Sequence, residues 1–321
     1  MCPCSVDRPG RLWRQTWLAL LGLWMLLVQT LALGGQAQRA IWMWEEDSYA
    51  LLEQPHKTQD AIRFLKRQGI QTLYLYADAH DNRMLLTSHP QSYARAIRQL
   101  HASGIQVHAL LGSWPLHTER YVLPAHRATA LAMLQRVIDY NLAAEPQARF
   151  DGVNLDIEPH VLDEWPAQRE ALLQGFIDLS EAFMALKRRA NVSLQIGPAI
   201  PFWLDGIALR RGNRTRPASE YLQDIYDHVV LMDYRNKAEG PDGIISHASE
   251  ELAYGRQIGK RVLIGIETSS NELKKLTFHH LREEDLEREL AITHQNLGVN
   301  PAFGGFVLHH YGSYRHWLNS K

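Results

Sequence analysis

The chain has 321 residues, 45% of them apolar and 21% charged, with a formal net charge of −1. That balance is the profile of a globular protein with a sizeable core, and it excludes a polybasic nucleic-acid binder and a highly charged disordered chain. The basic clusters at 187–189 and 210–216 are short, and read as a helix end and a loop.

The first forty residues differ from the rest. Arg8, Arg11 and Arg14 precede an uninterrupted apolar run from Trp17 to Val28, and the small residues of LALGGQA follow. This order predicts a secretory signal peptide over residues 1–37, with Gly35 and Ala37 at the −3 and −1 positions of the cleavage site. The run falls short of the ~20 residues of a spanning helix. The alternative is an uncleaved anchor extended to Leu33, the only route by which the membrane would be a partner. Cleavage removes three arginines and Asp7, so the domain over 38–321 carries −1 − 2 = −3. It also removes Cys2 and Cys4, so an exported domain must rely on one large core without disulfides.

From Arg39 onward, short β-branched or aromatic runs alternate with longer amphipathic stretches. Strands are expected at 40–44 (AIWMW), 70–77, 105–112, 150–158 (FDGVNLDIE), 192–200, 228–234, 261–268 and 303–311. Helices are expected between them, at 58–69, 89–104, 126–145, 166–190, 217–227, 245–259 and 283–298. In the fourth of these, Leu172, Leu173, Phe176, Leu179, Phe183 and Leu186 recur at three- and four-residue spacing, with Pro166 in the first turn. Strict alternation means parallel strands joined by crossovers, and eight repeats predict a single (β/α)8 TIM barrel in the α/β class. A doubly wound open sheet is disfavoured, because AIWMWEED stands where a glycine-rich phosphate loop would follow the first strand.

The run 150–158 carries the chemistry. In a strand, Val153, Leu155 and Ile157 share one face while Gly152, Asn154, Asp156 and Glu158 share the other. In a barrel the second face points inward, and its C-terminal end is where active sites gather. Asp156 and Glu158 stand there, about 6–7 Å apart along the strand by the β rise. Buried carboxyls are too costly unless they are paired, protonated or working.

This segment resembles the strand-four signature D-x-x-D-x-D-x-E of family 18 glycoside hydrolases, the chitinase and endo-N-acetylglucosaminidase group. The pattern falls on Asp151, Asn154, Asp156 and Glu158, with asparagine at one aspartate position. LLGSW (110–114) and MDY (232–234, containing Asp233) are similar to the family's strand-three turn and strand-six Met-x-Tyr. The resemblance implies a TIM-barrel hydrolase of glycans containing N-acetylated amino sugars. Glu158 would be the general acid, Asp156 would hold the substrate acetamide, and Tyr234 would bond its carbonyl oxygen as that oxygen attacks the anomeric carbon. Such substrate-assisted cleavage needs no protein nucleophile, metal or redox cofactor. His309 stands where the family has its strand-eight tryptophan.

Strand seven offers another mechanism. In RVLIGIETS the parity of Val262, Ile264 and Ile266 turns Glu267 inward, and glutamates ending strands four and seven also resemble retaining glycosidases with a carboxylate nucleophile. Sugar-stacking faces are expected among Trp42, Trp44, Tyr74, Tyr76, Trp114, Trp203, Tyr234 and Tyr311, with Asp151, Asn154, Asp233 and His309 as polar contacts. Glu45, Glu46 and Asp47 follow strand one and could bind sugar hydroxyls, but a solvated loop is the favoured reading. His279, His280, His309 and His310 do not form a metal set, because adjacent histidines on a strand diverge. The rival from another class is a non-catalytic carbohydrate-binding barrel. The segments 113–124, 201–216 and 235–243 are expected to be loops that shape the glycan site.

Overall fold

The computed structural model describes Met1 and residues 37–320. The expected signal segment therefore lies, apart from its two end residues, outside the described residues. From Ala37 onward the chain forms one unit. Eight parallel strands close into a barrel: β1 (Arg39–Met43), β2 (Thr72–Tyr76), β3 (Gln106–Leu111), β4 (Gly152–Leu155), β5 (Gln195–Pro201), β8 (His228–Met232), β9 (Arg261–Glu267) and β10 (Phe303–His309). The register runs in sequence from β1 to β2 and round to β10, which pairs with β1 through Arg39–Phe306, Ala40–Val307 and Ile41–Leu308. The predicted (β/α)8 architecture is therefore the observed one.

Two strands lie outside the barrel. Within the expected loop at 201–216 the chain forms an antiparallel hairpin, β6 (Ala208–Arg211) and β7 (Arg214–Pro217), joined by Gly212 and Asn213. Gly212 has φ +61°, the left-handed conformation that a two-residue hairpin turn demands. Its arginine-rich strands carry no apolar alternation, so the period-2 signal was missing.

β4 is shorter than expected and ends at Leu155. Pro159 opens a single turn of 3₁₀-helix at Pro159–Val161, which takes the backbone out of the sheet just past Glu158. Asp156 and Glu158 thus stand beyond the strand, at the barrel mouth.

Rings from four strands meet inside the barrel. Trp42 meets Tyr74 edge-on at 5.9 Å, Tyr74 leans on His108 at 5.4 Å, and His108 meets His228 at 6.2 Å. Burial lowers these histidines to about 4 and about 3 respectively, so both are neutral near pH 7. Room for the rings comes from glycines on neighbouring strands. A methyl group at Gly152 would stand 2.7 Å from the His108 ring and 2.5 Å from Gln195 O, and one at Gly197 would stand 2.5 Å from His228. Gly152→Ala should therefore destabilise the barrel by about 1–3 kcal/mol through overpacking, read as a lower denaturant midpoint at unchanged slope. An unchanged midpoint would contradict this packing account.

Candidate active site

At the C-terminal mouth of the barrel an open cleft of about 200 Å³ is lined by Trp44, Glu45, Ser113, Trp114, Pro115, Thr118, Glu119, Asp156 and Glu158. Each side chain is placed by a strand end. Trp44 and Glu45 come directly after β1, where the helix Glu45–Glu53 begins. The loop after β3 starts with Gly112 at φ +119°, where a Cβ would lie 2.0 Å from the backbone oxygen of Asp156. Only glycine permits that approach. Thr118 then closes the loop, its Oγ1 accepting from Ser113 N–H at 2.8 Å and donating to Ser113 O at 3.1 Å. This brings Ser113 Oγ–H onto Glu45 Oε1 and leaves the Trp114 ring 73% exposed on the cleft wall.

Asp156 and Glu158 supply the acids. Burial, then the charges of Glu158 and Glu45, push Asp156 well above the ordinary carboxyl range. Its Oδ1 is buried and has no hydrogen-bond partner. Burial also raises Glu158, and the charge of His309 opposes that rise in part. The two carboxyls titrate as a pair that holds a proton to higher pH than an isolated acid would. Burial together with Asp156, Glu267 and Glu158 drives the Tyr234 hydroxyl well above its usual value, which places Tyr234 in the field of all three carboxyls.

Beside the cleft runs a chain of hydrogen bonds. Trp44 Nε1–H donates to His309 Nε2 at 3.2 Å, and His309 Nδ1 bonds Glu267 Oε2 at 2.7 Å. An indole can only donate, so the Trp44 N–H is the donor of the first of these bonds. Ser269 N–H occupies the other Glu267 oxygen at 2.6 Å. Burial pushes Glu267 up, but His309 and Ser269 outweigh it and hold the carboxylate below its ordinary range. Glu267 and His309 thus stand at the mouth, linked to Trp44 by hydrogen bonds, and neither is among the residues lining the cleft.

Several expected contacts are corrected. Asn154 is fully buried inside the barrel, accepting from Trp42 Nε1 at 2.8 Å and donating to Gly197 O at 3.3 Å, so its amide is spent on the fold. Asp151 precedes β4 at the opposite end of the barrel, where its Oδ2 bonds His101 at 2.9 Å and Val107 N–H at 2.8 Å. Its parity matches Val153, which faces the helices. Tyr76 is fully buried, donating its hydroxyl to Ala79 O at 2.8 Å. Asp233 is fully buried against His247, at 3.0 Å, in the helical turn Ile244–His247. Tyr311 is 5% exposed and packs on Phe64 of the helix Pro55–Arg67 at 5.5 Å. Trp203 stands one layer back, edge-on to His160 at 5.4 Å.

Other residues escaped the sequence reading. Glu45 belongs to the cleft instead of a solvated loop, and Ser113, Thr118 and Glu119 join it from the segment 113–124. His160 Nε2 lies 3.7 Å from Glu158 Oε1, and burial lowers this imidazole to about 4, so it meets Glu158 as a neutral ring. The available signal was position: Glu45 directly follows a strand end, as Glu158 nearly does.

No protein-family model matches the chain. A family 18 N-acetylglucosaminidase from Paenibacillus barengoltzii superposes with a TM-score of 0.52 at 13% identity, covering 89% of this chain and 98% of that one. A mutant family 18 chitinase from Cycas revoluta, in complex with (GlcNAc)4, gives 0.52 at 13% identity over 88% of this chain and 98% of its own. The barrel is similar to those of family 18 glycoside hydrolases. At such identities the likeness is one of fold. A local similarity of 31% identity over 107 residues links the chain to exonuclease subunit 1 of Enterobacteria phage T4, and it spans 33% of this chain and 31% of that protein.

The raised carboxyl of Asp156 makes a stability prediction. A carboxyl whose folded-state pKa is raised contributes stability below its unfolded value, about 3.9, and that contribution is lost as pH rises through the folded value. Asp156→Asn should therefore leave the melting temperature nearly unchanged near pH 3 and raise it progressively toward pH 8. A gain that is largest in acid would refute the burial account.

Proposed function

We propose that the chain is an exported glycoside hydrolase acting on a glycan with N-acetylated amino sugars, by the substrate-assisted retaining route. One observation carries this reading: a carboxyl raised by burial, Glu158, opens into a cleft beside a second buried acid, Asp156, whose Oδ1 has no partner. Glu158 donates its proton to the glycosidic oxygen as the C1–O bond breaks, and a carboxyl that stays protonated toward neutral pH suits that step. The bare Asp156 oxygen accepts the acetamide N–H, turning the acetamide carbonyl oxygen onto C1, and the Tyr234 hydroxyl donates to that carbonyl. The cyclic intermediate is opened by water, which gives its proton back to Glu158 and restores the starting state.

The likeness of the barrel to family 18 enzymes supports the same assignment. A covalent route through Glu267 has less support, since both Glu267 oxygens are held by His309 and Ser269 and the residue does not line the cleft. Export rests on the order of Arg8–Arg14, the apolar run and Ala37.

The test is the appearance of reducing ends from amino-sugar oligomers. Acetyl-containing oligomers should be cut and fully de-acetylated ones left intact, for want of an acetamide nucleophile. Glu158→Gln should lower turnover by about 10²–10⁴-fold while retaining binding. Binding without any cleavage by the parent chain would favour the carbohydrate-binding alternative, and cleavage of both substrates would restore Glu267 as nucleophile.

A further inference from the structure

At the end of the barrel away from the acids lies a second cavity, of about 770 Å³, within the roughly 300–1,000 Å³ of small-molecule sites. Four strand beginnings frame it. Gln38, Gln106, Gln195 and Arg261 share the inward parity of Trp42, His108, Gly197 and Gly265, so their side chains converge on the barrel axis. His108 forms the floor. It is 7% exposed, and its Nδ1 is buried with no hydrogen-bond partner. Burial lowers the ring to about 4, so it brings hydrogen-bonding capacity and no charge.

This cavity is cationic where the catalytic mouth is acidic. Arg261 Nη2–H donates to Gln38 Oε1 at 2.8 Å and to Gly304 O at 3.3 Å, and Arg149 Nε–H donates to Ala144 O at 2.9 Å. These acceptors are all neutral, and among the described residues neither guanidinium forms an ion pair. The one acid of the lining, Asp151, is already matched. Its Oδ2 bonds His101 at 2.9 Å and Val107 N–H at 2.8 Å, and the bond to Asp151 makes His101 hold its proton to higher pH. Arg261 also acts inward: burial raises Tyr74 and lowers His228, and the charge of Arg261 lowers both. An anionic head group would give the guanidiniums the charge-assisted bonds they lack. Gln106 and Gln195 add amides, each with a donor and an acceptor, which suits hydroxyl groups.

We propose that this end of the barrel is a second ligand site, which takes a small hydroxylated oxyanion: a sugar bearing a carboxylate or a phosphate. The head group bonds Arg261, the hydroxyls meet Gln106 and Gln195 above the His108 floor, and Arg149 adds positive charge from the β4 rim. The assignment is independent of the glycosidase reading, because none of these residues lines the catalytic cleft.

Calorimetry on the full chain with glucuronate, glucose 6-phosphate, inorganic phosphate and glucose tests this. The sugar acid or the sugar phosphate should bind about ten-fold or more tightly than glucose, the gain expected of a charge-assisted bond, and the tighter of the two identifies the head group. Arg261→Gln should reduce that binding about ten-fold or more. Gln106→Glu, which sets a like charge in the cavity on an exposed side chain, should do the same, and unchanged melting temperatures show that the variants fold. In NMR spectra the ring signals of His108 should shift as the anion is added, while those of His160 at the far mouth stay in place. Anions bound no more tightly than glucose, a preference that survives both replacements, or unmoved His108 signals would overturn the site. Inorganic phosphate bound as tightly as the sugar anions would overturn the role given to the amides. None of these results bears on cleavage at Glu158.

Discussion

The placement of the acids depends on one close approach between strand ends. Asp156 N–H donates to Leu111 O at 2.7 Å, continuing the β3–β4 ladder one residue beyond β4. At the next step Gly112 swings into the left-handed region, since any side chain there would collide with the Asp156 carbonyl. The two chains can then part sharply. One carries Ser113 and Trp114 up the cleft wall, and the other presents Asp156 at its floor and Glu158 at its rim. A barrel closed by eight parallel strands turns this local geometry into a fixed site, because neither strand can shift without breaking pairing on its far side.

The same closure sets the electrostatics. Carboxyls held at the mouth lose water, which raises both Asp156 and Glu158, and the charge of Glu158 raises Asp156 further. Opposite effects act on Glu267 a few strands away, where an imidazole and a backbone amide keep the carboxylate charged. Two environments therefore push nearby carboxyls in opposite directions. The raised pair is suited to proton donation, and Glu267 ends a chain of hydrogen bonds that reaches Trp44 through His309.

The departures from the family 18 pattern acquire a physical meaning in this setting. Asparagine at 154 has both an acceptor for Trp42 and a donor for Gly197 O, a combination an ionised carboxylate cannot offer. An aspartate there would need a proton to serve both partners. Histidine at 309 places in the site a ring hydrogen-bonded on both sides, and the indole face next to the cleft is supplied by Trp44 just past β1.

Alternation of apolar runs with amphipathic stretches was enough to establish the barrel, because a parallel strand buried on both faces and a helix packed on one side leave distinct periods in the chain. Parity within 150–158 also separated Asp156 and Glu158 from the helix-facing Val153, Leu155 and Ile157, since that distinction is local. Parity says which side a residue faces, and nothing about which end of the barrel it occupies or which partner it meets. Asp151, Asn154, Tyr76, Asp233 and Tyr311 were therefore all plausible in sequence and were assigned elsewhere by contacts with residues 3 to 247 positions away. Glu45, Ser113 and Glu119 met across the mouth for the same reason. Their convergence depends on how loops from separate strands fold over a closed cylinder, and that is a property of tertiary structure alone.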